Sequence, residues 1–256
     1  MKRFIFTLLI VFSAVFFASC VKTQVSNNES KIVVVGLDDT FAPMGFKNEK
    51  GEIVGFDVDL AKEVFKRLGY EVKFQPIDWA MKESELNSKK IDVIWNGYTI
   101  TEERKQKVDF TKPYLINRQV IVVLKNSNIN KKVDLEGKKV AAQLNSSSQE
   151  AVEKEKEFLS KLKDGKLYLY ETNNDALMEL ENGRVDAVVV DEILARYYIK
   201  LKGEDNFRIL EDNFGSEEYG IGFRKGDELK DKVEKTLEEM KKDGTFEKIY
   251  SNWFKK

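Results

Sequence analysis

Residues 91–104 read IDVIWNGYTITEER and pass from a strand through a polar loop into a helix. The apolar run that opens the stretch is typical of a strand buried in a parallel sheet. Asn96-Gly97 predicts the end of that strand, and Thr101 suits the N-cap of a helix that begins at Glu102. The stretch therefore predicts an α/β fold with polar groups at the carboxyl edge of its sheet, where open α/β sheets bind ligands.

Arg104 is the unusual residue of this stretch, because a cation in the first turn of a helix lies at the unfavourable end of the helix dipole. Two interpretations are open. Arg104 is a solvated arginine beside Glu102 and Glu103, or it turns back over the loop and holds a carboxylate through paired hydrogen bonds. Since most surface charges contribute little, the stretch alone favours the first interpretation.

The composition is that of an ordinary water-soluble protein, with 256 residues of which 34% are charged and 42% hydrophobic. This length is enough for one or two cores. A net charge of −1 favours neither nucleic acid nor an anionic membrane as a partner. The absence of histidine removes histidine-dependent catalytic triads and the commonest zinc ligand. We expect no metal and no cofactor.

Residues 1–20 have the pattern of a lipoprotein signal peptide. Two basic residues precede the apolar segment Phe4–Phe17, and two small residues then lead to Cys20, the only cysteine. We expect Cys20 to be lipidated and to become the mature N-terminus; an ordinary signal peptide or an uncleaved anchor are the alternatives. Residues 21–30 are polar and without periodicity, which predicts a flexible tether.

The rest of the chain alternates between strand and helix patterns. Residues 32–95 follow a β-α-β-α-β order, which predicts a parallel sheet. The strand Gln119–Leu124 changes this rhythm, and a second β-α series begins at Val140 and includes one long charged helix over 149–163. The segments LNSKKIDVIWNG (86–97) and LENGRVDAVVVD (180–191) resemble each other. This echo predicts two similar lobes with facing strand ends, although the same pattern begins many buried strands.

Five segments carry a resemblance to a known family: GEIVGFDVDLAKEV (51–64), TITEERKQKVDFTKPY (99–114), GRVDAVVVD (183–191), YGIGFRKGD (219–227) and DGTFEKIYSNWF (243–254). They are similar to patterns of the polar-amino-acid substrate-binding proteins of bacterial ABC importers, family 3 of the solute-binding proteins. The resemblance implies an α/β, two-lobed periplasmic-binding-protein-like fold of type II, with two hinge strands and a central ligand cleft. It places lobe 1 at 31–117 plus 219–256 and lobe 2 at 118–218.

The resemblance also implies which residues bind the two charged ends of an amino acid. Arg104 corresponds to the arginine that holds the α-carboxylate, together with Ser147 and its neighbour Ser146 at a helix N-terminus. The run of three serines leaves that register open by one residue. The groups implied for the α-ammonium are the carboxylate of Asp191, the carbonyl of Gly97 and the hydroxyl of Thr99.

The resemblance further implies that Asp38 and Phe41 contact the ligand side chain and that Trp79 stacks against it. Each of these also has a structural interpretation, as a loop cap or a core aromatic residue. Asn96 stands where family members often have serine or glycine. Asp38 suits a basic or an amide side chain, whereas Asn96 suits an amide or cystine. The sequence therefore leaves all three kinds of ligand open.

We expect a non-enzymatic extracytoplasmic receptor, lipid-anchored to the cell membrane or periplasmic, that captures a polar L-amino acid and delivers it to its cognate ABC permease. A monomer is expected. The main alternative is an enzyme on the same fold, similar to cyclohexadienyl dehydratase, which would need a general acid in the cleft. A sensor domain and a module of a lytic transglycosylase are disfavoured alternatives, because no transmembrane pattern follows residue 20 and two lysines alone follow Phe254.

Overall fold

The structure is a computed structural model that describes residues 31–255. Within this range, no helix combines the length and the apolar character needed to cross a membrane. The predicted signal peptide, Cys20 and the predicted tether lie outside the described residues.

The first lobe is built on three parallel strands, as the β-α-β-α-β order predicts, and the structure places the first strand of the chain between the other two. Helices cover this sheet, and a small antiparallel sheet follows its first strand. The strands are β1 (Lys31–Leu37), β2 (Thr40–Phe41), β3 (Gly45–Lys47), β4 (Ile53–Val54), β5 (Tyr70–Pro76), β6 (Val93–Thr99) and β7 (Asp109–Phe110); the helices are α1 (Phe56–Arg67), α2 (Lys82–Asn87) and α3 (Glu102–Lys107).

The second lobe repeats this plan with three parallel strands in the order β10-β9-β11. Its strands are β9 (Val140–Gln143), β10 (Tyr168–Tyr170) and β11 (Ala187–Asp191), and its helices are α4 (Ser147–Lys154), α5 (Lys156–Lys161), α6 (Asn173–Glu181) and α7 (Glu192–Lys202). The chain then returns to the first lobe, where α8 (Leu229–Lys242) and α9 (Thr245–Phe254) pack on α1.

Two long antiparallel strands, β8 (Leu115–Leu124) and β12 (Phe207–Phe223), join the lobes. β12 pairs with β6 of the first lobe, and β8 pairs with β11 of the second, so one hydrogen-bonded sheet runs through the molecule. This confirms the two-lobed type II architecture with two connecting strands. β12 is 17 residues long and ends at Phe223.

Two sequence predictions of local structure are wrong. Asn96-Gly97 does not end its strand, because β6 continues to Thr99. Gly97 keeps its positive φ within the strand because the pairing with β12 is bulged at this point. The helix predicted over 149–163 breaks at Glu155, where ψ is 68°. Val152 and Phe158 are six residues apart, so they would point in different directions on one continuous helix. The break at Glu155 allows both side chains to contact the same apolar cluster.

Candidate ligand-binding site

A small cavity lies between the two lobes, at the carboxyl ends of their parallel strands. Ten residues line it, and nine of them are ligand contacts predicted from the sequence. The predicted residue outside the lining is Thr99, and Gln143 is the lining residue that the sequence did not single out. The lining is Asp38, Phe41, Trp79, Asn96, Gly97, Arg104, Gln143, Ser146, Ser147 and Asp191.

Arg104 turns back from α3 into this cavity and is only 5% exposed. Its backbone N–H donates to the Thr101 hydroxyl, which confirms Thr101 as the N-cap. The guanidinium stacks over the ring of Tyr98 at 4.8 Å and donates to the carbonyls of Thr99 (3.0 Å) and Asn145 (3.4 Å). A guanidinium carries five N–H donors, so further donors are available to an anion. The interpretation of Arg104 as a solvated arginine is therefore wrong.

Each of the three serines at the start of α4 is hydrogen-bonded, and two of them share Gln119 as a partner. Ser146 is the N-cap, and its hydroxyl accepts from a backbone N–H inside the helix at 3.1 Å. Ser148 donates to the Gln119 side chain. The Ser147 hydroxyl oxygen accepts from Gln119 at 3.1 Å and lies 3.0 Å from the Thr99 hydroxyl. Since Thr99 has a single proton and donates it to the carboxylate of Glu217, Ser147 donates to Thr99. A carboxylate in the cavity would compete with Thr99 for the Ser147 proton.

Asp191, the last residue of β11, also lines the cavity and is held by neutral donors. Its Oδ1 accepts from the Tyr219 hydroxyl at 2.5 Å, from Asn117 at 2.7 Å and from Gln119 at 3.1 Å. Burial, and secondly the carboxylate of Glu217, raise the pKa of Asp191 well above its usual range. A cation bound beside Asp191 would offset both effects.

Glu217 is a functional candidate that the sequence reasoning missed. Its Oε1 accepts from Asn117 and Gln119 at 2.7 Å each and from the Thr99 hydroxyl at 3.0 Å. It shares a strand with Tyr219 two residues later, and the period of two places both side chains on one face. That alternation is the signal that could have found it. Thr99, outside the lining, therefore connects Glu217 to Ser147.

Asp38 lines the cavity and is one of the residues predicted to contact the ligand side chain. Its Oδ1 accepts from the backbone and hydroxyl of Thr40 at 2.9 and 2.7 Å, so Asp38 also caps its loop. Its Oδ2 accepts from Gln143 at 2.8 Å, and Gln143 in turn accepts from Asn173 at 2.8 Å. Burial raises the pKa of Asp38. Gln143 is the last residue of β9, at the carboxyl edge of its sheet, a position that could have identified it.

Phe41, Trp79 and Asn96 line the cavity together with Asp38. Phe41 and Trp79 are 5% and 7% exposed, and Trp79 packs edge-on against Tyr98 at 5.8 Å, so both aromatic residues are core residues as well as lining residues. The Asn96 side-chain oxygen accepts from the Asp38 backbone at 3.1 Å, while its Nδ2 has no partner among the described residues.

Gly97 owes its conformation to a buried carboxylate of α1. Its φ is +56°, and its N–H donates to Asp57 Oδ2 at 2.7 Å, which also accepts from the Tyr114 hydroxyl at 2.8 Å. A Cβ at Gly97 would approach a Phe41 ring carbon to 2.7 Å. Burial raises the pKa of Asp57 to about 7. Asp57 was not among the predicted site residues, although it lies in the segment GFDVDL (55–60).

Two similar α/β lobes, two connecting strands and an enclosed polar cavity define this protein as a two-lobed ligand-binding protein. The chain belongs to the bacterial extracellular solute-binding proteins, family 3, whose family model matches residues 33–256. This membership confirms the predicted family and its role in binding solutes rather than in catalysis.

Individual relatives bind different amino acids. The chain is 36% identical over 261 residues to the arginine-binding extracellular protein ArtP of Bacillus subtilis, covering 99% of this chain and 98% of the relative. It is 33% identical over 229 residues to the L-cystine-binding protein TcyJ of Escherichia coli, covering 88% and 84%. A similar solved structure is an ABC uptake transporter substrate-binding protein from Streptococcus pneumoniae with bound histidine, with a TM-score of 0.86, 38% identity and coverage of 88% and 93%.

Proposed function

We propose that this protein binds the α-carboxylate and the α-ammonium of an L-amino acid with Arg104 and Asp191. The observation that carries the proposal is that these two buried, oppositely charged side chains line one cavity, and no ion pair among residues 31–255 includes either of them. An unpaired buried charge is costly. A zwitterion supplies the missing counter-charge to both.

The remaining site residues are proposed to complete the two ends of this clamp. Ser147 and Ser146 contribute at the carboxylate, since they lie at the start of α4 and line the cavity together with Arg104. At the ammonium, the Gly97 carbonyl assists Asp191. Thr99, which bonds to both Ser147 and Glu217, acts as a bridge between the two ends rather than as a contact to the ammonium alone.

We propose a basic side chain for the ligand, of the arginine class. Asp38 is a third buried charge without an ion pair among the described residues, and it lines the same cavity as Arg104 and Asp191. Phe41 and Trp79 offer aromatic surfaces on which a planar cation stacks favourably. The arginine-binding relative agrees with this choice. The competing ligands are an amino acid with an amide side chain and cystine, and the test below distinguishes them from arginine.

The wider assignments are part of the same proposal. The lobes are divided at 117/118 and 218/219, which the crossing of β8 and β12 supports. We propose that Cys20 carries a lipid, that residues 21–30 tether a monomeric receptor to the outer face of the cell membrane, and that closure on the amino acid presents the receptor to its ABC permease. Closure follows because a ligand that contacts both lobes favours the closed state.

A thermal-shift screen of the purified protein tests this function. The probes are the twenty L-amino acids, ornithine, cystine and agmatine, which is arginine without its carboxylate. We expect L-arginine to raise the melting temperature most, because a ligand that binds only the folded protein stabilises it by mass action. Agmatine should give no shift. An equal shift with agmatine would contradict the clamp, whereas a response confined to glutamine or cystine would contradict only the basic side chain.

A further inference from the structure

Lys82, at the start of α2 in the first lobe, is only 2% exposed. Its ammonium donates to the carbonyl of Trp79 at 3.1 Å and to the carbonyl of Asn145 at 3.0 Å, and it lies 3.5 Å from the carboxylate of Glu83. Lys82 is not among the residues that line the cavity. Because this buried lysine does not line the cavity, its role is something other than direct contact with the ligand.

The contact with Asn145 is the one that crosses between the lobes. Asn145 belongs to the loop between β9 and α4 of the second lobe, and its φ is +54°, a conformation that asparagine tolerates better than most residues. Its carbonyl also accepts from Arg104 at 3.4 Å. Two cations of the first lobe therefore converge on a single backbone oxygen of the second.

Of the three contacts of the Lys82 ammonium, one depends on the approach of the two lobes. Trp79 and Glu83 belong to its own lobe, so those two contacts do not require the second lobe. The bond to Asn145 exists only while the lobes are together. Burial, and secondly the charge of Arg104, lower the pKa of Lys82 to about 7, which agrees with an ammonium that has exchanged water for protein contacts.

We propose that Lys82 is an interlobe latch: it binds the Asn145 carbonyl only in the closed state, and so it prolongs the residence of the ligand without contacting the ligand or selecting it. This inference rests on the proposed function, because it needs a ligand that is released by opening. Lys82 is thus a positioning residue. Its removal should change the dissociation rate and leave the ranking of ligands unchanged.

The test compares Lys82→Met with the wild type and with Lys90→Met, a matched change at a lysine whose side chain is 64% exposed. L-Arginine is the probe, and its dissociation is followed by stopped-flow tryptophan fluorescence. We expect dissociation from Lys82→Met to be about 10-fold faster or more, with Lys90→Met unchanged. Melting without ligand should be unchanged or higher for Lys82→Met, because methionine fills a similar volume without a buried charge.

Two results would overturn the latch. One is dissociation from Lys82→Met at the wild-type rate. The other is a loss of melting temperature that is as large without arginine as with it, which would assign Lys82 to the stability of its own lobe. Failure of the proposed function is a different result, since the wild type itself would then show no thermal shift with L-arginine.

Discussion

The hydroxyl of Thr99, at the end of β6, lies 3.0 Å from the hydroxyl of Ser147, at the first turn of α4. Each residue belongs to a different lobe, and the contact closes the cavity beside Arg104. Thr99 also bonds to Glu217, whose carboxylate shares two amide donors with Asp191. One hydrogen-bonded chain therefore connects the carboxylate end of the proposed site to its ammonium end, so we expect substitutions at either end to affect both.

Replacing Asp38 by asparagine should change specificity more than stability. We expect Asp38→Asn to weaken L-arginine binding by about 10- to 100-fold, since hydrogen bonds to charged groups contribute about 1.5–3 kcal/mol. The relative affinity for L-glutamine should increase, because the clamp for the zwitterion is unchanged. Isothermal titration calorimetry with both amino acids measures this.

The control for Asp38 is Asp39→Asn, which removes the neighbouring carboxylate and its surface ion pair with Lys47. Wild-type affinity for arginine in Asp38→Asn, or an equal loss in Asp39→Asn, would show that Asp38 acts only as the cap of its loop.

Gly97 should tolerate no side chain. Gly97→Ala combines a positive φ with a Cβ that lies 2.7 Å from Phe41 and 3.1 Å from Tyr219. Overpacking costs about 1–3 kcal/mol in addition to the backbone strain. We therefore expect a lower unfolding free energy in urea and a loss of arginine binding, because Phe41 lines the cavity.

Gly183→Ala is a suitable comparison for Gly97→Ala. Gly183 has a φ of +67°, but a Cβ there would meet nothing within 4 Å. It should show the backbone strain alone and bind arginine as the wild type does. If the two alanine variants lost the same stability and both still bound, the close approach at Gly97 would have no consequence.

Asp57 should make stability depend on pH. Its pKa is raised from 3.8 to about 7, so between these values the folded protein holds a proton that the unfolded chain releases. The stabilising contribution is therefore complete below pH 3.8 and is lost as the pH rises toward 7. The slope is at most about 1.4 kcal/mol per pH unit.

The measurement is urea unfolding of the wild type and Asp57→Asn at half-unit steps from pH 4 to 7.5. We expect the wild type to lose stability relative to the variant as the pH rises. Asp205→Asn, at an exposed position, should run parallel to the wild type. Parallel curves for wild type and Asp57→Asn would mean that the pKa of Asp57 is not shifted.

The parallel strands were predictable from the sequence, because buried parallel strands are continuous apolar runs, but the end of β6 lies beyond the predicted Asn96-Gly97. The echo between residues 86–97 and 180–191 placed Gly97 opposite Asp191, and both line the cavity. The bulge at Gly97 was not predictable, since it depends on pairing with β12, which lies more than a hundred residues away in the chain.

The residues missed at the site share a physical reason. Lys82, Gln143 and Glu217 reach the cleft region from a helix, a strand of the other lobe and a connecting strand, and their roles appear only when these elements meet. Lys82 in particular resembles a solvated lysine in its sequence, MKESELNSKK (81–90). The family pattern around Arg104 predicts that it binds the ligand. Its burial could not be predicted from the sequence, because it depends on contacts made in the tertiary structure.

The zwitterion clamp is tested most directly by calorimetric titration of L-arginine into the wild type, Arg104→Ala and Lys105→Ala. Lys105 is the adjacent, exposed cation of α3, paired with Glu102, and serves as the control. Removing one partner of a buried charge pair costs about 2 kcal/mol or more, so Arg104→Ala should bind at least about 30-fold more weakly. Lys105→Ala should match the wild type. Wild-type affinity in a folded Arg104→Ala variant would contradict the clamp.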